Sequence, residues 1–227
     1  MAQIYTPRLV PSHPRRRTID PHRGLITRNA YLRIKRAIDL TLCVLALPLV
    51  LPLLSLIAVL IRLDSPGPIV FCQWRTGRHG RRFRMYKLRT MVAEADALKP
   101  LYAHLNHQTW PDFKIAADPR VTPIGRLLRR TSLDELPQLL NVLRGEMSLI
   151  GPRPTSFAAD DYHLWHTARL DVLPGITGLW QVSGRGRLNF DQRVQLDLAY
   201  IERQCIWLDL QIMLRTIGQV IIGEGAY

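Results

Sequence analysis

Residues 40–61 read LTLCVLALPLVLPLLSLIAVLI, 22 positions without one charge between Asp39 and Arg62. A run of that length and apolarity is membrane-embedded by composition. Two prolines interrupt it, Pro48 and Pro52. An interior proline removes one helix hydrogen bond and pushes against the carbonyl four residues back, so Pro52 acts on Pro48 and Pro48 on Val44. A sharp bend near the middle is expected, leaving two halves of roughly 15 Å each, half the hydrocarbon core of a bilayer. Basic residues flank both ends: Arg33, Lys35 and Arg36 before, and Arg62, Arg75, Arg78, Arg81 and Arg82 after. Lys/Arg-rich flanks stay on the cytoplasmic side. One reading is therefore a helix that dips into one leaflet and returns; the other is an ordinary kinked spanning helix.

The rest of the chain is sized for one domain with appendages. Of its 227 residues 47% are hydrophobic, enough for a core. A net charge of +13 and a pI near 10.5 call for a polyanionic neighbour, and the apolar run turns that call toward lipid and phosphate and away from nucleic acid. Cys43, Cys72 and Cys205 form no CxxC, which favours reduced thiols over a disulfide framework or a zinc site. No cleavable signal peptide is expected, because the apolar run starts late and is too long for an h-region.

Residues 1–30 are rich in Arg, Pro and His and read as a basic tail lying on an anionic leaflet, or as a solvated leader. Ile69–Trp74 and Phe83–Leu88 are β-prone runs around Thr76-Gly-Arg-His-Gly80 and predict a basic hairpin. Residues 92–105 are helix-prone. Arg126–Met147 predicts one amphipathic helix, with Leu136, Leu139, Leu140 and Leu143 on one side. Leu179–Val182 is β-prone between two glycine-rich loops. Ile201–Ile222 is strongly apolar; Trp207, Leu208, Ile212 and Met213 make either the lipid-facing side of an interfacial helix or part of a buried one.

Asp134 and Glu135 are the residues with chemistry to offer. Ser132-Leu-Asp-Glu135 fits a capping box, while Pro137 prefers a first helical turn; either way both carboxylates sit at a helix N-terminus. Capping alone is one reading. The other takes them as ionised among Arg126, Arg129 and Arg130, as a nucleophile or magnesium ligand has to be. Arg153, held between two prolines, presents a rigid guanidinium suited to phosphate, or is a stiff surface loop. Arg185 and Arg187 alternate with glycines, a pattern suited to an anion or to a hairpin turn. Lys87 and Arg89 share a face if their segment is a strand. Neither GxxxxGK[ST] nor GxGxxG occurs.

In order along the chain, Lys35-Arg36-x-x-Asp39, Pro52, Asp64-Ser-Pro-Gly-Pro68, Tyr86-Lys-Leu-Arg-Thr-Met91, Asp118-Pro-Arg-Val-Thr-Pro-Ile-Gly125, Arg129–Leu139, Asn141-Val142, Gly145–Pro154 and Pro174-Gly-Ile-Thr-Gly178 closely resemble the bacterial sugar transferase family, monotopic phosphoglycosyl transferases acting on polyprenyl phosphate. The resemblance runs from about Leu32 to the C-terminus. It implies that Asp134 is the nucleophile and Glu135 its partner at Mg2+. It further implies that Arg129, Arg153, Lys87, Arg89 and Arg185 bind phosphates and substrate, and that the apolar run is a re-entrant helix broken at Pro48 and Pro52. Members often carry Ser before the helix proline, where this chain has Leu51. The stretch Gly178-Leu-Trp-Gln-Val-Ser-Gly-Arg185 and the Gly-Ala-Tyr end look like members that use galactose or glucose.

The implied fold is α/β, mostly helical with short β-hairpins, in a single monotopic domain. Its parts are a basic flexible tail over 1–31, a re-entrant membrane helix over 32–64, and a cytoplasmic catalytic domain with interfacial helices over 65–227. The implied activity moves hexose-1-phosphate from UDP-hexose to polyprenyl (undecaprenyl) phosphate at the cytoplasmic membrane of a bacterium, with release of UMP. The partners are then UDP-hexose, polyprenyl phosphate, anionic membrane lipid and, in a homodimer, a second copy. An N-acetylhexosamine is the alternative sugar, and a non-enzymatic membrane-anchored assembly protein is the rival of another class.

Overall fold

The computed structural model describes residues 27–106, 113, 115–158, 162–184 and 188–222. The basic tail over 1–26 and the loop with Arg185 and Arg187 lie outside them. Helix α1 spans Arg28–Asp64 and starts where the Thr27 hydroxyl accepts from the Ala30 amide. Its helical backbone continues through Pro48 and Pro52, so both prolines lie inside one element. Each removes one bond while the flanking turns keep theirs. The Ser55 hydroxyl adds a bond to the Leu51 carbonyl at 3.0 Å, a local pattern associated with helix bending.

At 37 residues α1 is about 55 Å long, well beyond a bilayer's hydrocarbon thickness of about 30 Å. Its ends are occupied by protein. Tyr31, Lys35, Asp39 and Cys43, four apart, are buried, as are Ile57 and Ile61 near the other end. Between them Leu45 and Leu49 are 70% and 76% exposed, side chains with nothing of the protein to cover them. Among the described residues α1 alone is long and apolar enough to cross a membrane.

The expected hairpin forms: β1 (Val70–Thr76) pairs antiparallel with β2 (Arg82–Leu88), turning through His79 and Gly80 at positive φ. Residues 92–105 do not form the expected helix; turns and a 3-10 segment, Ala103–Leu105, occupy them. Arg126–Met147 is likewise not one helix. Helix α2 (Pro123–Thr131) stops at Ser132, which takes a left-handed conformation at φ 57°. A 3-10 turn, Leu133–Gln138, follows, and then α3 (Leu139–Leu143). Pro137 within the turn has no amide to donate, and this helps to split the helix.

Strand β3 (Ser148–Ile150) then pairs in parallel with β4 (Gly175–Thr177). A Cβ on Gly175 would overlap the Gly151 backbone, so this approach requires glycine. The second strand pair is thus parallel, not another hairpin. Leu179–Val182 belongs to a helix, α4 (Leu179–Gly184), not to a strand; short apolar runs do not distinguish the two by period. Helices α5 (Phe190–Glu202) and α6 (Ile206–Ile222) complete the order.

Three apolar clusters hold these pieces. Ile150, Ala168, Val172, Val194, Leu198, Tyr200, Ile201 and Ile212 pack β3, α5 and α6 together. Cys43 of α1 packs with Phe83, Met85, Val142 and Met147, and Ile57 and Ile61 pack with Leu88 and Leu128. Each such fully buried Val, Leu, Ile or Met contributes about 1.5–3 kcal/mol relative to exposure. Polar pins set the register of α1. Lys35 meets Asp209 of α6 at 2.8 Å, Arg36 donates to the carbonyls of Val142 and Leu143, and Asp39 accepts from the Leu149 amide at 3.1 Å. At the far end Asp64 accepts from the Ile124 amide at 3.3 Å. Helix α6 has two faces: Ile212, Leu208 and Met213 enter the core, whereas Trp207, Leu210, Leu214 and Ile217 are exposed. Of the four residues read as one side of this helix, Trp207 is therefore exposed, and Leu208, Ile212 and Met213 pack toward the core. Cys43 is a buried thiol, and Cys72 and Cys205 are exposed ones.

Candidate active site

Residues directly opposite across the hairpin share a face, so Phe83, Met85 and Lys87 of β2 lie with Phe71, Gln73 and Arg75 of β1. Phe83 and Met85 are buried, which turns this face inward and carries Lys87 with it. There Lys87 meets the 3-10 turn that begins after Ser132. No capping box forms: the Ser132 side chain makes no cap bond, and only its carbonyl accepts from the Glu135 amide. Freed from capping, Asp134 and Glu135 are both buried and both face cations.

The two carboxylates are treated differently. Glu135 accepts from Lys87 at 2.8 Å and from both terminal nitrogens of Arg153, one at 3.0 Å. Asp134 has only the outer contact to Lys87, at 3.9 Å. Burial would raise the Glu135 pKa, but Arg153 and Lys87 outweigh burial and hold it well below the usual carboxylate range. Burial raises that of Asp134, opposed by Lys87 and assisted by the charge on Glu135. Lys87 itself is pulled down, by burial first, against the pull of Glu135. A tightly paired Glu135 and a raised, loosely held Asp134 are pushed apart in acidity, the pattern of groups with separate roles.

Arg153 owes its position to its loop. Its backbone carbonyl accepts from Arg169 at 2.8 Å, and Arg169 is fixed by buried Asp197 at 2.6 Å. Arg129, in the last turn of α2, donates to the Thr90 hydroxyl at 2.9 Å, and its charge pulls the Asp134 pKa down without touching it. Lys87, Arg153, Asp134 and Glu135 therefore converge, with Arg129 at the margin.

Arg89 does not join them. β2 ends at Leu88, and the Arg89 guanidinium donates to the carbonyls of Pro66, Ser65 and Ile61. The Ile61 carbonyl also accepts from the Ser65 amide, whereas Ser65 and Pro66 lie past the last helical turn, where a forked donor satisfies their carbonyls; Arg89 thus caps the end of α1. Arg75 was placed in the sequence only as a flanking charge. The structure half-buries it beside Arg153, a position that strand alternation from Phe83 identifies.

Among the described residues no group of three or more His, Cys, Asp or Glu side chains is placed to hold a metal. The donor set is two adjacent carboxylates. Such a pair would suit a hard cation bound by one or two carboxylates plus substrate phosphates, Asp134 being the less engaged of the two.

The family model described as bacterial sugar transferase matches residues 30–223. The chain is 44% identical over 202 residues to the galactosyl transferase CpsE of Streptococcus agalactiae serotype III, covering 87% of this chain and 44% of that protein. It is 38% identical over 200 residues to the exopolysaccharide production protein ExoY of Rhizobium meliloti, covering 85% and 88%. It is 44% identical over 204 residues to the UDP-glucose:undecaprenyl-phosphate glucose-1-phosphate transferase of Caulobacter vibrioides, covering 85% and 72%. The chain thus spans less than half of CpsE and most of ExoY. With the motifs, the long apolar helix and this match over nearly the whole described length, the chain belongs to the bacterial sugar transferase family.

Proposed function

We propose that this chain transfers hexose-1-phosphate from UDP-hexose, with galactose or glucose as the sugar, to undecaprenyl phosphate. Such a step would initiate an exopolysaccharide or glycoconjugate. The observation that carries the reading is the asymmetry of the carboxylate pair: Glu135 is consumed by Lys87 and Arg153, while Asp134 lies buried at the same cations with no hydrogen bond to either. Two relatives, named a galactosyl transferase and a glucose-1-phosphate transferase, agree with the substrate class.

In the first step an Asp134 oxygen attacks the sugar-bearing phosphorus, the bond to the UMP oxygen breaks, and UMP leaves with that electron pair. An aspartyl-phosphosugar remains. In the second step a phosphate oxygen of the lipid attacks the same phosphorus, the Asp134 oxygen departs, and the carboxylate is restored. Arg153 and Lys87 stabilise negative charge on the transferred group, and Glu135 keeps them in place. Asp134 and Glu135 would hold Mg2+ together with substrate phosphates, where the ion supplies charge neutralisation.

The re-entrant reading of α1 draws support from its two ends. Lys35, Arg36 and Asp39 at one and Ile57, Ile61 and Asp64 at the other dock on the same body, and a helix that crossed the bilayer would carry one end away from it. With the exposed face of α6 against the lipid surface, the carboxylates would lie on the cytoplasmic face of the inner membrane at head-group level. Release of UMP from a panel of UDP-sugars, with and without undecaprenyl phosphate, tests the assignment; a chain inert toward every UDP-sugar contradicts it.

A further inference from the structure

Next to the carboxylate pair a cleft of about 210 Å3 opens between β1, the loop after Gly151, α4 and α5. Arg75, Arg153, Arg169 and Arg193 line it together with Trp180 and Phe190, and among the described residues no carboxylate does. Two of the arginines have their charge met elsewhere, Arg153 by Glu135 and Arg169 by Asp197. Among the described residues Arg75 has no carboxylate within ion-pair distance; it donates to the Gln73 side chain and weakly to the Pro154 carbonyl. Its Nε is buried without a partner, and so is the indole nitrogen of Trp180. Buried donors are nearly always paired in folded proteins, so two orphans on one cleft point to a ligand that brings acceptors. Burial and the charge of Arg153 push Arg75 down to about 10, a strain that an anion in the cleft relieves.

The aromatic side of the cleft is ordered as well. The Arg193 guanidinium stacks 5.3 Å from the Trp180 ring and 5.5 Å from that of Phe190. The volume falls below the roughly 300–1,000 Å3 of pockets that hold a whole drug-sized ligand. It suits one part of a nucleotide sugar.

We infer that this cleft is the nucleoside-monophosphate subsite of the donor, with phosphate on Arg75 and Arg153 and the pyrimidine ring beside Trp180 and Phe190. The inference rests on the proposed transfer reaction. Arg153 is shared by the cleft and the carboxylate pair, so the phosphorus next to the sugar is delivered toward Asp134 while the UMP half stays behind. Loss of UMP then opens the site to the lipid phosphate.

The test is equilibrium binding of UMP, inorganic pyrophosphate and farnesyl phosphate to the full chain in lipid nanodiscs. Arg75→Gln is expected to weaken UMP and pyrophosphate about tenfold or more, the effect of one charged hydrogen bond. Arg75→Lys keeps the charge but not the fork and falls between. Trp180→Phe keeps the ring and loses the indole N–H; it weakens UMP about two- to tenfold and leaves pyrophosphate unchanged. Unaltered UMP binding in folded Arg75→Lys and Trp180→Phe overturns the subsite, and so does weakening of farnesyl phosphate with UMP untouched. If wild-type turnover of UDP-hexose persists in that case, the transfer reading stands. If UMP binding follows the expected pattern in a chain that does not turn over UDP-hexose, the subsite stands and the transfer reading fails.

Discussion

Arg153 grips both carboxylate oxygens of Glu135 across 18 residues of chain, so the Pro-Arg-Pro loop and the turn that carries Asp134 move as one unit. Removing one partner of a buried pair leaves the others uncompensated, typically at about 3–5 kcal/mol. Glu135→Gln is expected to lose about 3 kcal/mol of stability at pH 7, and activity by a hundredfold or more. Because the Glu135 pKa is lowered on folding, its stabilising ionisation is fully present above the unfolded value of about 4.3 and disappears as pH falls through the folded one. The gap in thermal midpoint between wild type and variant should therefore shrink below about pH 4. A gap that is constant with pH contradicts the assignment.

Asp134 has the opposite sign. Its pKa is raised on folding, so its negative charge opposes folding at neutral pH, and the opposition vanishes in acid. Asp134→Asn should be inactive and no less stable than the wild type at pH 7. As the nucleophile has to be ionised, kcat/KM should fall on the acid side at a pH above the ordinary aspartate value of about 3.9. Lys87→Met removes a charge that favours the carboxylate and should move that limb to higher pH; movement to lower pH would exclude Asp134 as its source.

Much of this was legible in the sequence. The basic hairpin, the long apolar helix and the carboxylate pair were all readable from composition, turn residues and period. The path into Asp134 was not. A left-handed Ser132 and a 3-10 turn replace the helix that the Leu136–Leu143 spacing suggests, because Pro137 and the tertiary contacts of Glu135 outweigh local period. Arg89 looked like a companion of Lys87 by strand parity, yet β2 ends one residue earlier. Its function depends on where α1 ends, a contact between positions 28 residues apart that no local pattern encodes. Arg75 became visible only when the hairpin register placed it opposite Phe83.

Arg89→Lys separates a cap from a phosphate ligand. A lysine cannot reach the carbonyls of Ser65 and Pro66 together, so stability should fall by about 1–3 kcal/mol, the cost of leaving acceptors unmet. The KM for UDP-hexose should stay within about twofold. A rise in KM with stability unchanged would return Arg89 to the substrate site.

Docking of both ends of α1 on one body makes a topological prediction. Tags on the N- and C-termini should both report the cytoplasm in intact cells. Replacing Pro48 and Pro52 together by Leu, with full helix bonding restored, should favour a spanning helix and move the N-terminus outside at the expense of the Lys35–Asp209 and Asp39–Leu149 contacts. A wild-type N-terminus outside would defeat the re-entrant reading.

The most direct measurement is a single-turnover experiment without lipid acceptor. Purified full chain is mixed with excess UDP-hexose and Mg2+, UMP release is followed in time, and the protein is digested for mass spectrometry. A covalent route through Asp134 predicts a burst of UMP approaching one per chain and a hexose-phosphate adduct on the peptide that contains Asp134, both absent in Asp134→Asn. Addition of undecaprenyl phosphate should then discharge the adduct. UMP release that requires the acceptor, with no adduct on any peptide, would mean direct attack by the lipid phosphate and would contradict a nucleophilic Asp134.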